Sequence, residues 1–199
     1  MTFDGFKTVI IDAGHGGEDG GAVGVSSVLE KELNLEISNR FENLLNLFGI
    51  NTGMIRRDDL SLGNERASLR QKKAADIKKR VELVNNIPDS VLISIHQNSF
   101  PQDSSCKGAQ VFFSDYNAES RPLAEIIQDT LKETLDKSNT RKSKPADKSI
   151  YILNNVKCPA VLVECGFLTN PQEAKLLCDD GYQKKIAVCL AGALVKNSV

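Results

Sequence analysis

Four residues stand where their side chains can do chemistry: His15, Glu30, His96 and Glu164. His15 follows the apolar run of "TVIIDAGH", His96 closes "VLISIH" and Glu164 closes "AVLVE". If these runs are strands of an open α/β sheet, they aim polar groups at one edge, because ligands bind at the carboxyl ends of such strands. Imidazole nitrogen and carboxylate oxygen are the donors of hydrolytic zinc sites, which use three protein ligands and leave one position open. His15, Glu30 and His96 supply such a set. No HExxH occurs, so the ligands must come from a strand end, a helix start and a second strand end. Taken singly, each histidine fits equally well as a satisfied residue at the end of a strand.

Glu30 opens the segment "EKELNLEISNRFENLLNLF". At 100° per residue Leu33, Ile37, Phe41, Leu44, Leu45 and Phe48 form one stripe with Glu30 at its centre, while Glu32 and Glu36 fall on other faces. An unpaired carboxylate in an apolar face costs several kcal/mol, so a cation or donor is expected beside it. A first-turn carboxylate that complements the helix dipole and stays partly wet is the equal alternative. The glycine-rich turn around His15 is no nucleotide loop: Asp19 replaces the third glycine of a GxGxxG spacing, no GxxxxGK[ST] is present, and Glu18 and Asp19 repel phosphate. Its glycines are read as a scaffold that allows close backbone approach around the histidine. No GxSxG is present and there is no third histidine, which argues against a covalent triad.

The elements that must position these groups are legible as an alternation of short β-rich runs and longer helical segments, the pattern of an α/β domain with a buried, largely parallel sheet. Six strands are predicted: Lys7 to Asp12, Asn51 to Arg56, Ser90 to His96, Ala109 to Ser114, Ser149 to Leu153 and Ala160 to Glu164. Helices are predicted at Glu30 to Phe48, Leu62 to Asn86, Ser120 to Lys137, Pro171 to Cys178 and Tyr182 to Lys196. Ser138 to Lys148, "SNTRKSKPADK", is the most loop-like stretch. The basic segment "RASLRQKKAADIKKR" is read as a solvated helix face with Leu69, Ile77, Val81 and Val84 turned inward, and contact with an anionic polymer is the lesser alternative.

At 199 residues the expectation is a single domain, residues 1–199, with a core that needs no staples. A net charge of -1 gives no bulk attraction to nucleic acid or membrane. No apolar run is long enough to span a bilayer, and Met1 to Lys7 has no signal-peptide core. The five cysteines are odd in number and form no CxxC pair, which excludes a zinc ribbon; three sit in apolar surroundings and are read as small buried hydrophobes, and the set does not resemble a disulfide framework.

"IDAGHGGEDGGAVG", "EKELNL", "RRDDLSLGNER", "SIHQN" and "PAVLVECGFLTNPQEAKLL" resemble, in order and spacing, the zinc-dependent N-acetylmuramoyl-L-alanine amidases of bacterial cell walls. The resemblance runs from Val9 to the final helix, and "LRQKKAADIKKRVELVNN" resembles the germination-specific branch that acts on spore cortex. It implies one Zn²⁺ held by His15, Glu30 and His96, Glu164 as the catalytic carboxylate, a peptidoglycan substrate and a site of action outside the cytoplasm. A regulatory protein partner is left open. The sequence departs mildly from the family pattern at Ala13, Gln97 and Cys165, and the last two are expected to flank the site and alter substrate fit or metal sensitivity. Asn98 and Arg141 are candidate substrate contacts, with a turn-forming asparagine and a solvated arginine as equal alternatives. Two rivals stand beside this expectation: a zinc peptidase or carboxypeptidase acting on the stem peptide, and an inactive wall-binding module.

Overall fold

Runs such as Val9 to Ala13 and Val91 to Ile95 are apolar on both sides of the pleat, so each can be buried only in the middle of a sheet covered on both faces. The computed structural model describes residues 6–25, 27–63 and 68–195 and shows that arrangement. Six strands, β1 (Thr8–Ala13), β2 (Thr52–Met54), β3 (Ser90–Asn98), β4 (Gln110–Phe113), β5 (Lys144–Pro145) and β6 (Ala160–Phe167), form one sheet in the order β2-β1-β3-β6-β4-β5. The first four in that order are parallel, and β4 runs antiparallel to β6 with β5 parallel to β4. The fold is therefore a single α/β domain with a mixed, mostly parallel sheet. Its helices are α1 (Glu30–Leu47), α2 (Leu69–Asn85), α3 (Ser120–Leu135), α4 (Pro171–Leu177) and α5 (Asp180–Val195).

Strand periodicity sorts the side chains into two unequal faces. Val9, Ile11, Val91, Ile93, Ile95, Val161 and Val163 point to one side and pack with Leu33, Ile37 and Phe41 of α1, Leu123 and Ile127 of α3, and Ile186 and Leu190 of α5. On the other side Ile10, Leu92, Ala160 and Leu162 meet Val84 of α2 together with Ile152, Leu153 and Val156. Followed toward the carboxyl ends, this second face turns polar: Ile10 gives way to Asp12, Leu92 to Ser94 and His96, Leu162 to Glu164. The site residues thus continue the less covered face of the sheet, in register. Asp12 lies beside Ser94, and His96 beside Glu164.

Several predicted boundaries shift. Residues 149–155 are turns, not a strand. Amides of Asn154, Asn155 and Val156 donate back to Ile150, Tyr151 and Ile152, and the helical spacing of Ile152, Leu153 and Val156 seats all three in the second core. The sixth strand is Lys144–Pro145, inside the stretch predicted to be loop. Its proline is tolerated because β5 is an edge that needs no amide donor on its outer side. Strands β3 and β6 run past His96 and Glu164, so these two residues lie within the sheet, at a point where neighbouring β1 has ended. Phe48 is 57% exposed, beyond the end of the buried stripe, and Leu69 is 48% exposed. Residues 62–63 precede α2 as bends, and the predicted helical residues 64–67 and Lys196 lie outside the described residues. No helix among the described residues is long and apolar enough to cross a membrane.

Candidate active site

The turn after β1 carries His15 with φ 62, the left-handed region that a non-glycine residue occupies only when its surroundings fix it. It is fixed from several directions. His15 Nδ1 lies 2.9 Å from Asp19 Oδ2, and Gly16 and Asp19 exchange backbone hydrogen bonds. Glycine is required at two neighbouring positions by close approach: a Cβ at Gly14 would collide with the His96 ring, and one at Gly21, where φ is +69, would fall 2.5 Å from Glu30 Oε2 and 2.7 Å from His15 Cδ2. The glycines clear the space that the two imidazoles and the carboxylate fill.

Glu30 is the first residue of α1 and only 4% exposed. Its carboxylate turns away from its own helix terminus. Oε2 accepts from Ala22 N at 2.8 Å and lies 3.1 Å from His15 Nε2. Oε1 accepts from Gln97 N at 3.1 Å and lies 3.0 Å from His96 Nδ1. Asn34, one turn on along α1, donates to the same oxygen at 3.3 Å and to Gly14 O at 3.1 Å. The reading of Glu30 as a partly wet dipole complement is therefore set aside: this is a buried carboxylate with partners on every side.

His15, Glu30 and His96 each present one donor atom, and these lie within 4.8 Å of one another. Their electrostatics ask for a cation. Burial would raise the Glu30 carboxyl, but the two histidines hold it well below the usual range. Burial would likewise lower the His15 imidazolium, and the carboxylates of Asp19 and Glu30 outweigh it, carrying it to about 9. A cluster that draws a proton onto an imidazole in this way suits a divalent ion that would replace the proton. Two nitrogens and an oxygen are donors that Zn²⁺ accepts, and Asp19 stands behind His15 as the orienting carboxylate that metal-bound histidines usually have.

Glu164 is adjacent to His96 across the β3/β6 pair, and its Oε2 is buried with no hydrogen-bond partner. Burial pushes its carboxyl up to about 7, with a further rise from Glu30 and opposing pulls from His96 and His15. A carboxyl that changes charge near neutrality, with one oxygen free, can take and return protons. Beside it opens a cleft of about 430 Å³ whose lining includes His15, His96, Glu164, Lys73 and Ile77 of α2, and Tyr151 of the 149–155 turns.

The structure brings the four principal residues together and leaves Asn98 and Arg141 outside this cleft. Asn98 Oδ1 accepts from Ser99 N at 2.8 Å, a local turn contact. The Arg141 guanidinium lies 4.6 Å from the centroid of the Phe167 ring and donates to Lys107 O and to Gln110, whose backbone pairs with Glu164. Gln97 and Cys165 are 3% and 1% exposed and do not line the cleft; Gln97 flanks the site from behind, its backbone donating to Glu30 and its side chain to Asn34. The sequence reading assigned no part in positioning the site to Asp12, Asp19, Arg56 or Arg80. A signal for Arg80 did exist, since it falls on the inward side of its helix between Ile77 and Val84.

Comparison with known proteins agrees with this geometry. The N-acetylmuramoyl-L-alanine amidase family profile matches residues 9–196. The germination-specific N-acetylmuramoyl-L-alanine amidase of Bacillus subtilis is 41% identical over 182 residues, covering 91% of this chain and 75% of the relative. Among solved structures, the CwlD amidase from Clostridioides difficile, in complex with the GerS lipoprotein, superposes with a TM-score of 0.91 at 40% identity, covering 96% of this chain and 98% of that one. An N-acetylmuramoyl-L-alanine amidase from Clostridium difficile 630 gives 0.83 at 28% identity, with 96% of both chains covered. The chain belongs to the N-acetylmuramoyl-L-alanine amidase family.

Proposed function

We propose that residues 1–199 form one catalytic domain that hydrolyses the amide between the lactyl group of N-acetylmuramic acid and L-alanine, using one Zn²⁺, in spore-cortex or cell-wall peptidoglycan. The observation that carries this reading is the meeting of His15, Glu30 and His96 within 4.8 Å beside a Glu164 whose Oε2 has no partner. Zinc at such a site supplies Lewis acidity, which makes water a better nucleophile near neutral pH and polarises an amide carbonyl. His15, Glu30 and His96 hold it, and Asp19 orients His15. Glu164, beside His96 and with its Oε2 unpaired, takes the proton of the attacking water and passes one to the departing amine. The leaving group is a poor one, so proton delivery is as necessary as attack.

The cleft beside His96 and Glu164 receives the substrate around the scissile bond. Asn98 and Arg141 lie outside it, where only a longer glycan or peptide would reach them. The relatives' names, which refer to a cell-wall amide and to germination, support a site of action outside the cytoplasm, and the complex of the C. difficile relative with a lipoprotein supports a protein partner for this chain. The test is end-group analysis: purified cortex or wall peptidoglycan is incubated with the zinc-loaded chain. New L-alanine amino termini on stem peptides with uncut glycan are expected. Release of terminal amino acids would identify a peptidase instead, and binding without release a wall-binding module.

A further inference from the structure

Three consecutive carbonyls, those of Ala13, Gly14 and His15, carry the chain out of β1 into the left-handed turn, and all three are held by guanidinium groups. Arg56, from the segment after β2, donates from Nε to Ala13 O at 2.8 Å and from Nη2 to Gly14 O at 3.0 Å. Arg80, on the inward face of α2 and only 2% exposed, donates from Nη1 to Ala13 O at 2.9 Å and from Nη2 to His15 O at 2.6 Å. The rest of the Arg80 fork is also engaged. Nη1 meets Asp12 Oδ1 and Nε meets Asp76 Oδ2, both at 2.6 Å. Ser94 Oγ donates to the other oxygen of Asp12 at 2.7 Å. Every nitrogen of the guanidinium thus has a protein partner.

Among the described residues the amino-terminal half of α2 has few apolar anchors, Ile77 being the one that packs against the second core. The helix's one fully buried apolar side chain, Val84, is near the far end, while the near half reaches the histidine turn through ion pairs of Lys72 with Glu18 and Lys73 with Asp19. We propose that Arg80 is a positioning residue for the metal centre: by gripping the carbonyl of His15 from a helix anchored on Asp12, it sets where the His15 imidazole stands relative to Glu30 and His96. This rests on the zinc reading above, and it assigns a task to a basic segment that otherwise resembles a solvated face. Lysine cannot replace the fork, because one ammonium cannot reach Asp12, Asp76, Ala13 O and His15 O together.

The experiment uses Arg80→Lys, which keeps the buried positive charge, and reads Co²⁺ and Zn²⁺ affinity by competition titration, the visible spectrum of the Co²⁺ form, and kcat and KM on muropeptides. Thermal melts confirm folding at the assay temperature. The expected result is a folded protein with at least tenfold weaker metal affinity, an altered Co²⁺ spectrum and a lower kcat at a KM within twofold. A purely structural role would lower the melting temperature and leave affinity and spectrum per folded molecule unchanged, and that outcome overturns the proposal. If Arg80→Lys melts below the assay temperature, Asp76→Asn decides by the same readouts, since it loosens the fork at Nε, keeps the Asp12 pair and retains an oxygen for Ser61 Oγ and Leu62 N. Wild-type protein that binds neither metal would sink the zinc reading itself, which separates the two failures.

Discussion

The two faces of the central sheet are held in different ways. The face toward α1, α3 and α5 is sealed by aliphatic and aromatic side chains such as Ile93, Ile95, Phe41 and Leu190, nearly all inaccessible to solvent. The face toward α2 is apolar only at the amino ends of its strands. At the carboxyl ends it is held by the ion pairs of Arg80 with Asp12 and Asp76 and by Arg56 on the neighbouring carbonyls, and there the cleft opens. Apolar packing is non-directional and tolerates modest substitution, whereas a buried charge is stable only with its partners in place. One face therefore keeps the domain folded, and the other keeps a few donor atoms aligned at an energetic cost that the first face offsets.

The division is tested most severely by removing the imidazoles. His15→Ala and His96→Ala are expected to abolish stoichiometric zinc and all amidase activity while each chain still folds cooperatively, because neither ring belongs to the apolar core. Zinc at about one hundred times its dissociation constant should stabilise the wild type by about 2.7 kcal/mol and should not stabilise either variant. Full zinc in both variants by elemental analysis would remove these residues from the ligand set. Next in size is Glu164→Gln: zinc content stays at wild-type level while turnover falls by roughly 10² to 10⁴, the contribution of a positioned proton-transfer group. Zinc lost together with rate would make Glu164 a ligand instead.

On the apolar face the expected effects reverse. Phe41→Ala should cost about 3 to 5 kcal/mol of stability in a urea or thermal melt, with zinc affinity per folded molecule unchanged. A weakened zinc site in a variant that is still folded would show that the two faces are coupled more tightly than their contacts suggest.

The same contrast explains what could be read from the sequence. Short apolar runs and the 3.6-residue stripe of α1 made the sheet and its helices legible and put Glu30 on the inward stripe, because those patterns record apolar burial directly. His15, His96 and Glu164 were legible because each follows such a run. The ionic network was not. Arg80 lies 68 residues from Asp12, and although its helical spacing with Ile77 and Val84 points it inward, nothing local to the basic segment names the carboxylates and carbonyls it meets there. Residues 149–155 misled for the opposite reason: an apolar stretch of strand length was supplied by turns whose spacing serves the second core. Lys144–Pro145 was missed because an exposed two-residue edge strand has no burial pattern to read.

The smallest effect concerns the charge on Glu164 in the metal-free protein. Burial raises its carboxyl from 4.5 to about 7, so the folded state binds the proton more tightly than the unfolded state does. A group shifted in this direction adds to stability at low pH and withdraws that support as pH rises from 4.5 through 7. Glutamine at 164 carries no such dependence. His15, also raised, titrates in the same sense at higher pH: its favourable contribution is complete below pH 6.5 and fades as pH passes about 9, but both proteins share it, so it largely cancels in the difference between them. The stability of Glu164→Gln relative to wild type should therefore rise between pH 4.5 and 7 and level off above 7, by about 1 to 3 kcal/mol. Melts of both metal-free proteins across that range measure it. A flat difference would mean that the Glu164 carboxylate is well solvated before any metal binds, and the polar face would then owe less to buried charge than its geometry indicates.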